Sequence, residues 1–359
     1  MEKKKHYLRV CGIDIGKNKH VFCIRDQHGN LIQKPTSFQN DAKGFSKLLM
    51  CLKQAGRSNT ILIGMEATGH YWYSLHDYLQ DQRYQVVVLN PIITSEKNRK
   101  SVRKGKTDKR DSKKIAQILA NGEYHRSLIP KDDAMNCRQL TRLRYRIISQ
   151  KAKLKQYVRA RLHPVWPEFE KQFSDPFGIT AKILLYHCPT PQDLLKLDAK
   201  QIHELIRAPS RGRFGLDKAK QIRDSAKTSV GIHRGLESIR FNIRLLLRQM
   251  DSFDPVIAEL GTEIQQIARA LLSYLFTLPG ATQESIVSLY GETYPIESFP
   301  SGDKMIAFAG LDPVVVQSGE FPNDPARIIR HISKRDCPYL RHTLWLMAQK
   351  AIWQQGLFR

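Results

Sequence analysis

Short apolar runs alternate with amphipathic segments over residues 7–121, and this alternation constrains the fold more than any other feature of the sequence. The predicted strands are residues 7–16, 19–26, 31–38, 60–69 and 84–91. The predicted helices are residues 40–56, 70–82 and 107–122. The order is therefore three strands, helix, strand, helix, strand, helix, which is the order of the ribonuclease H-like fold.

A long basic helix is predicted to follow. Residues 134–167 contain no acid and nine Lys or Arg. Apolar residues keep near-heptad spacing at Leu140, Leu143, Ile147, Leu154, Tyr157 and Val158. Two interpretations stay open: a coiled-coil arm that dimerises through one face and contacts nucleic acid with the other, or a helix packed on its own domain with a solvated basic face.

The remainder of the chain is predicted to be mostly helical. Pro and Gly breaks mark residues 176–230 as a small helical linker region, and a second long helix is predicted at about 234–275. The segment "LPGATQESIVSLYGE" resembles the second half of a helix-hairpin-helix, although its Gly280 could equally end a helix. We predict three regions, with boundaries at 1–125, 126–275 and 276–359.

The charge balance indicates the class of partner. Lys and Arg total 58 against 34 Asp and Glu, a formal net charge of +24. Such a surplus favours a polyanion, most plausibly nucleic acid, over an anionic membrane surface, because no strongly apolar amphipathic helix accompanies the basic blocks. The six cysteines form no zinc-type cluster, and neither a secretory leader nor an apolar membrane span is evident. A cytoplasmic protein that does not bind membranes is predicted.

Four acids occupy special positions in the first region. Asp14 lies on the first strand, Glu66 ends the fourth, and Asp108 and Asp111 open the last helix. In a ribonuclease H-like layout these elements meet at one edge of the sheet, so the four carboxylates are expected to converge. Converging carboxylates need bound cations, and oxygen-only ligands suit Mg²⁺ or Mn²⁺.

Each acid also has an ordinary structural explanation. Asp14 could bind backbone N–H groups, Glu66 could cap a helix, and Asp108 and Asp111 could complement the helix macrodipole. Coincidence is less plausible for all four together.

Ten of the eighteen residues from 97 to 114 are Lys or Arg, which suits a site that draws in a phosphate backbone. The predicted contacts here are Lys97, Arg99, Lys100, Arg103, Lys104, Lys106, Lys109 and Arg110.

Five motifs along the chain resemble one family. They are "GIDIGKNKH", "GMEATGHYW", "GKTDKRDSKKIA", "FAGLDPVVVQSGEF" and "ISKRDCPYLRHTLW". In this order they resemble the insertion sequence 110 transposases, relatives of the Piv DNA invertases that are also called bridge-RNA-guided recombinases. The resemblance runs from about residue 8 to residue 350.

The resemblance implies a RuvC-like domain in which Asp14, Glu66, Asp108 and Asp111 match the family's DEDD carboxylates. It also implies a C-terminal transposase domain with a nucleophilic serine, here Ser318. The expected partners are a noncoding guide (bridge) RNA, target and donor DNA, and further copies of the chain as a dimer or tetramer. A composite site, with carboxylates from one protomer and serine from another, is a hypothesis that follows.

Further basic residues are predicted to contact phosphates, with a solvated surface as the alternative for each. They are Arg142, Arg146, Lys334, Arg335 and Arg341. The sequence departs from the family pattern at Asp336, where a glycine is frequent, and it ends at Arg359, where many relatives continue.

Three other functions compete with that of a serine recombinase. A RuvC-type nuclease or Holliday-junction resolvase would use the four carboxylates and water. An actin-like sugar kinase would share "GIDIG" but needs a second phosphate loop and an adenosine motif that are not evident. A non-catalytic RNA-binding protein derived from a transposase would keep the basic surface without needing the four acids and Ser318. Target and donor sequences cannot be read from the protein.

Overall fold

A computed structural model describes residues 7–66, 69–89, 108–122, 124, 132–271, 274–316, 329–334 and 337–355. The chain divides into two compact units, residues 1–129 and 130–359. The predicted boundary between residues 275 and 276 lies inside the second unit and stays a prediction. In the described part of the chain, no helix has the length and apolar character needed to span a membrane.

The first unit is a mixed α/β structure built on five strands. The strands are β1 (Arg9–Asp14), β2 (Lys19–Asp26), β3 (Leu31–Gln39), β4 (Ile61–Glu66) and β5 (Gln85–Leu89). Their order in the sheet is β3-β2-β1-β4-β5. Strands β1, β2 and β3 pair antiparallel, whereas β4 is parallel to both β1 and β5. The predicted order of strands and helices is thus observed across the described residues of this unit.

Helices cover both faces of this sheet. They are α1 (Ala42–Ala55), α2 (Tyr73–Asp81) and α3 (Asp108–Ala120). Helix α1 is capped at its N-terminus, because the Asp41 side chain accepts a hydrogen bond from the Gly44 N–H at 2.7 Å. Helices α1 and α2 share one hydrophobic core with one face of the sheet, and α3 shares a second core with the other face. Thr107, the first residue of the helix predicted at 107–122, lies outside the described residues.

The second unit is mainly helical. Its helices are α4 (Asp132–Leu162), α5 (Ile179–His187), α6 (Pro191–Leu195), α7 (Ala199–Arg207), α8 (Leu216–Lys227), α9 (Leu236–Ala270), α10 (Gln283–Thr293), α11 (Gly302–Phe308) and α12 (Pro338–Gln355). An antiparallel two-stranded sheet joins β6 (Pro313–Val316) to β7 (Ile329–Ile332).

Helices α4 and α9 form a long antiparallel pair. Near the start of α4, Cys137 packs with Ile264 and Ala268 near the end of α9. Towards the end of α4, Val158 and Leu162 enter a core that contains the first half of α9. The same core includes buried residues of α5, α6, α7 and α8, so residues predicted as a linker region are packed together. The buried apolar residues of α4 therefore contact this chain itself, which favours the second of the two interpretations of the basic helix.

Candidate functional site

Two glycines let helix α3 lie directly on the sheet. Gly12 of β1 and Gly64 of β4 are register partners on neighbouring parallel strands. A Cβ atom at Gly12 would lie 2.2 Å from the Ser112 carbonyl oxygen and 2.4 Å from the Ala116 nitrogen. A Cβ atom at Gly64 would lie 2.6 Å from a methyl group of Leu119. Both strands therefore carry glycine because the helix leaves no room for a side chain.

The strand carboxylates lie on this same face of the sheet. Side chains alternate along a strand, so Asp14 and Glu66, each two residues beyond its glycine, share the face that α3 covers. Each is the last residue of its strand, and each is only partly exposed. Because β1 and β4 are parallel neighbours, the two acids lie side by side at one edge of the sheet.

The direction of α3 brings its first turn toward that edge. Ser112 bonds to Cys23, the register partner of Gly12, whereas Gln117 accepts a 2.8 Å bond from Arg25, the partner of Val10. The helix therefore runs back along β1, from the level of Gly12 toward the strand's beginning. Its residues before Ser112 extend the other way, toward the level at which β1 ends.

Asp108 and Asp111 belong to this first turn. At spacing i, i+3 they are neighbours on one helical face, with Cβ atoms about 5–6 Å apart. Asp111 directly precedes Ser112, which is fully buried against the sheet. The fold thus places all four predicted acids at one end of one sheet face. Among the residues described, no three His, Cys, Asp or Glu side chains are grouped as the ligands of a metal would be.

The donor chemistry suits a hard cation. All four predicted ligands are carboxylates, and oxygen ligands are those that Mg²⁺ and Mn²⁺ take in proteins. Asp108 and Asp111 lie in the first turn of α3, where the helix macrodipole contributes a positive partial charge. Exposed Lys109 and Arg110 stand between them in the same turn.

A buried histidine anchors the turn that follows Asp14. The Gly16 N–H donates a hydrogen bond to Nδ1 of His20 at 3.2 Å, and the His20 ring packs on Phe38 with centroids 5.1 Å apart. His20 is fully buried, and this burial lowers its pKa below the usual value of 6.5. Asn40 holds the same turn through a 3.1 Å bond to the Lys17 carbonyl oxygen. The sequence reasoning missed His20, whose only signal was a histidine inside an apolar strand.

Several predicted site residues lie outside the described part of the chain. They are Lys97, Arg99, Lys100, Arg103, Lys104, Lys106, Ser318 and Arg335. Ser318 belongs to the segment between β6 and β7. Their roles stay predictions.

Arg142 has a partner that the sequence did not suggest. Its Nε and Nη2 atoms each donate a 2.7 Å hydrogen bond to the carboxylate of Glu292 on α10, and its guanidinium lies 4.6 Å from the Tyr339 ring centroid. Burial lowers the pKa of Arg142, but the hydrogen bond and the negative charge of Glu292, together with smaller contributions from Cys337 and Tyr339, outweigh it, so the pKa is raised. Cys337 donates to the same carboxylate at 3.3 Å, and burial, followed by the charge of Glu292, raises the pKa of that thiol.

The other basic residues of the second unit that were predicted to contact phosphates differ in exposure and in their hydrogen bonds. Arg146 is exposed and donates to the Tyr339 hydroxyl at 3.1 Å. Arg341 donates to the Ala309 carbonyl oxygen at 2.9 Å, and Lys334 is exposed with a φ of 53°. These contacts and the ion pair of Arg142 give several of the predicted phosphate ligands a role within the protein, and binding to nucleic acid stays a prediction for all of them.

Comparison with known families places the chain among the enzymes that move DNA segments. Residues 11–167 match a family model described as a transposase, the DEDD type of IS110. Residues 272–359 match the model described as Transposase IS116/IS110/IS902 family. The chain belongs to the insertion sequence 110 family of transposases, as the sequence motifs predicted, and it is therefore a DNA-processing enzyme. A search of curated proteins found no match.

Proposed function

We propose that this chain is the recombinase of an insertion element, and that it cuts and rejoins DNA through a covalent bond between Ser318 and a DNA end. The observation that supports this most strongly is the arrangement of acids in the first unit. Two strands end in Asp14 and Glu66 on the sheet face covered by α3, and α3 begins toward the same edge with Asp108 and Asp111.

The sheet supports a ribonuclease H-like, RuvC-like fold for this unit. Its strand order is β3-β2-β1-β4-β5, with three antiparallel strands followed by two added in parallel. In open sheets that contain parallel strands, ligands bind beyond the carboxyl ends of those strands. Asp14 and Glu66 occupy those ends in β1 and β4.

The four carboxylates are proposed to hold Mg²⁺, or Mn²⁺ in its place. When bound, such an ion supplies Lewis-acid stabilisation of the charge that develops on the phosphodiester oxygens. The protein residues have separate tasks. Gly12 and Gly64 allow α3 to pack directly on the sheet. The hydrogen bond between Gly16 and His20 stabilises the turn after Asp14. The cationic surface, which includes Lys109 and Arg110, draws the DNA backbone toward the acids.

Ser318 is proposed as the nucleophile, as the family resemblance implies. Its oxygen forms a bond to phosphorus, its proton leaves to a base or to water, and the bond from phosphorus to one deoxyribose oxygen breaks. One DNA end is released with a free hydroxyl, and the other stays linked to the serine. The phosphodiester is conserved as a serine ester, so a second hydroxyl can attack it and rejoin the DNA.

A guide RNA and an oligomer complete the proposal. The resemblance implies that a noncoding bridge RNA pairs with target and donor DNA, and the net charge of +24 suits two polyanionic partners. A dimer or tetramer is proposed because recombination requires several strand cleavages in one complex. A cytoplasmic location is proposed with it.

A metal-dependent nuclease or Holliday-junction resolvase is the second candidate. The arrangement of Asp14, Glu66 and α3 favours it as much as it favours recombination, because carboxylates and water are sufficient for hydrolysis. The two candidates differ in the nucleophile, which is Ser318 in the recombinase and water in the nuclease. The experiment must therefore identify the nucleophile.

The test is denaturing electrophoresis of the protein incubated with its RNA, end-labelled substrate DNA and Mg²⁺. We expect a covalent protein–DNA band for the wild type and none for Ser318→Ala. Ser333→Ala, which changes a serine bonded to Asp312, is the matched control and should keep the band. Cleaved DNA without a covalent band, equal in wild type and Ser318→Ala, would mean that water is the nucleophile.

A further inference from the structure

The second unit contains a cavity that the proposed chemistry does not use. Its volume is about 550 Å³, within the range of about 300–1,000 Å³ that is typical of small-molecule sites. Side chains of α4 form one wall, and α12 forms another. The turn at Gly280 and the first residues of α10 complete it.

The cationic side of the cavity contains a hydrogen-bond donor that lacks an acceptor. Arg144 of α4 lines it, and the Nε atom of Arg144 is buried with no hydrogen-bond partner in the part of the chain that the structure describes. A buried guanidinium N–H without an acceptor is costly, so an acceptor from a ligand would be stabilising there. Lys350 of α12 adds a second cation, and Glu284 is the one acid among the lining residues.

Three hydroxyl groups of the lining are already engaged in hydrogen bonds within the protein. Ser288 and Thr343 share a 2.7 Å hydrogen bond, and the Thr343 hydroxyl also donates to the Tyr339 carbonyl oxygen at 3.0 Å. Thr141 donates to the Cys137 carbonyl oxygen at 2.8 Å. Arg144 and Lys350 are the two basic residues of the lining, and both favour an anion.

An aromatic side chain of the same lining is held rigidly. The ring of Tyr145, next to Arg144 in α4, meets Tyr339 edge-on at 5.1 Å and His342 at 4.8 Å between centroids. Such contacts fix the orientation of the ring. The partly exposed Ile148 and Leu346 extend the apolar part of the lining. A ligand that suits both parts of the lining carries a flat apolar group and an anionic group.

We propose that this cavity binds one unstacked nucleotide, with its base against Tyr145 and its phosphate at Arg144 and Lys350. Aromatic side chains stack on any base, and arginine binds phosphate through paired N–H groups. The proposal rests on the family's action on DNA, but it depends on neither the four carboxylates nor Ser318. A free nucleotide and a nucleotide extruded from a strand present the same chemistry, and the experiment separates them.

The experiment measures binding of the full-length protein to two fluorescent DNA duplexes without divalent metal, so that cleavage does not contribute. One duplex is fully paired and the other carries a single unpaired nucleotide. We expect the wild type to prefer the second duplex by roughly 5- to 150-fold, the range expected for one base stacked on an aromatic ring. Arg144→Gln and Tyr145→Leu should each reduce this preference toward one.

Two controls accompany these variants. Arg161→Gln removes the same charge from an exposed position of α4 outside the cavity lining, so it should weaken both duplexes equally and leave the preference intact. Tyr145→Phe keeps the ring and should keep the preference. Lys350→Gln, at an exposed residue of the lining, tests the phosphate end without disturbing a buried group.

The outcomes separate the sources of the ligand. Preference for the unpaired nucleotide, lost in Arg144→Gln and Tyr145→Leu, supports an extruded nucleotide. Binding of a nucleoside 5′-monophosphate that weakens in the same variants, with no preference between duplexes, supports a free nucleotide. If Arg144→Gln and Tyr145→Leu bind the monophosphate and both duplexes as Arg161→Gln does, the proposal is overturned. That result would leave the test of Ser318 untouched.

Discussion

Two glutamates, Glu66 in the first unit and Glu292 in the second, have opposite surroundings. Glu66 ends a strand at a sheet edge and is partly exposed. Glu292 is 2% exposed, and it receives two hydrogen bonds from Arg142 and lies 3.8 Å from Nε of Arg138. An acid neutralised by guanidinium groups joins helices and has little capacity left for a ligand. An acid at the open end of a parallel strand can still take one.

The two units also use glycine in comparable ways. Gly12 lets α3 touch β1, and Gly291, next to Glu292, lets α10 touch α4, because a Cβ atom there would lie 2.7 Å from the Arg138 nitrogen. Arg138 also donates a 2.8 Å bond to the Gly291 carbonyl oxygen. In the first unit this close contact positions acids at an edge, whereas in the second it encloses an acid.

The same substitution at both glutamates should give the largest and most distinct effects. We expect Glu66→Gln to reduce DNA cleavage roughly a hundred- to a thousandfold with little change in stability, because it removes a proposed metal ligand. We expect Glu292→Gln to lower the free energy of unfolding by roughly 2–4 kcal/mol, because it leaves Arg142 without its counter-charge.

Plasmid cleavage in Mg²⁺ and urea unfolding, measured on both proteins, check this pair. The comparison fails if Glu66→Gln destabilises the chain as much as Glu292→Gln does. It also fails if Glu292→Gln abolishes cleavage at full stability.

Alanine substitutions at Gly12 and Gly291 should sharpen the comparison, with smaller changes in activity and stability than the glutamate substitutions. Each added methyl group meets backbone atoms, so we expect a loss of about 1–3 kcal/mol in unfolding free energy for both variants. Only Gly12→Ala should also reduce cleavage beyond its loss of folded protein, because α3 carries Asp111 with it when it is displaced.

Gly261→Ala is the matched control. Gly261 lies inside α9, and an added Cβ atom there would meet open space, so alanine should stabilise the protein by roughly 0.5–1 kcal/mol. Urea unfolding and cleavage per folded molecule distinguish the three variants, and equal cleavage by Gly12→Ala and Gly291→Ala would contradict the placement of α3.

The smallest expected effect is a pH dependence of stability in the first unit. Burial lowers the pKa of His20 below 6.5 in the folded protein. As pH falls, His20 is therefore protonated in the unfolded chain before it is protonated in the folded protein. The stability contributed by the neutral ring is present above about pH 6.5 and is lost as pH falls from there toward the lowered pKa. Urea midpoints at pH 7.5 and pH 5.5 should differ less in His20→Gln than in the wild type. His28→Gln, at an exposed turn, is the control, and an equal pH dependence in wild type and His20→Gln would exclude this role.

The local features of the fold could be predicted from the sequence. The bounds predicted for β2, Lys19–Asp26, are those observed, because a continuous apolar run ends in charged residues and a turn. Asp14 and Glu66 could be singled out because a carboxylate inside a buried strand is unusual. These signals all lie within a few residues along the chain.

Contacts between distant segments could not be predicted. The apolar face of α4 did not indicate whether its partner belonged to this chain or to another. The partner is α9 of the same chain, about a hundred residues later. The partner of Arg142, Glu292, is 150 residues away. Gly280 has a φ of 73°, and a Cβ atom there would lie 2.0 Å from the Met347 carbonyl oxygen, so it serves a close approach to α12 that local sequence did not reveal.

The antiparallel pairing of α4 with α9 has a consequence for synthesis of the chain on the ribosome. The partners of α4 emerge about eighty to a hundred residues after it, which at about 5–20 residues per second is a delay of roughly 5–20 s. Strands β1 to β5 and helix α3 are complete before α4 is made, so the first unit can fold while the nascent α4 still exposes Cys137 and Val158. The interval before α9 emerges is therefore the period in which a chaperone or a nucleic acid has greatest access to the basic helix.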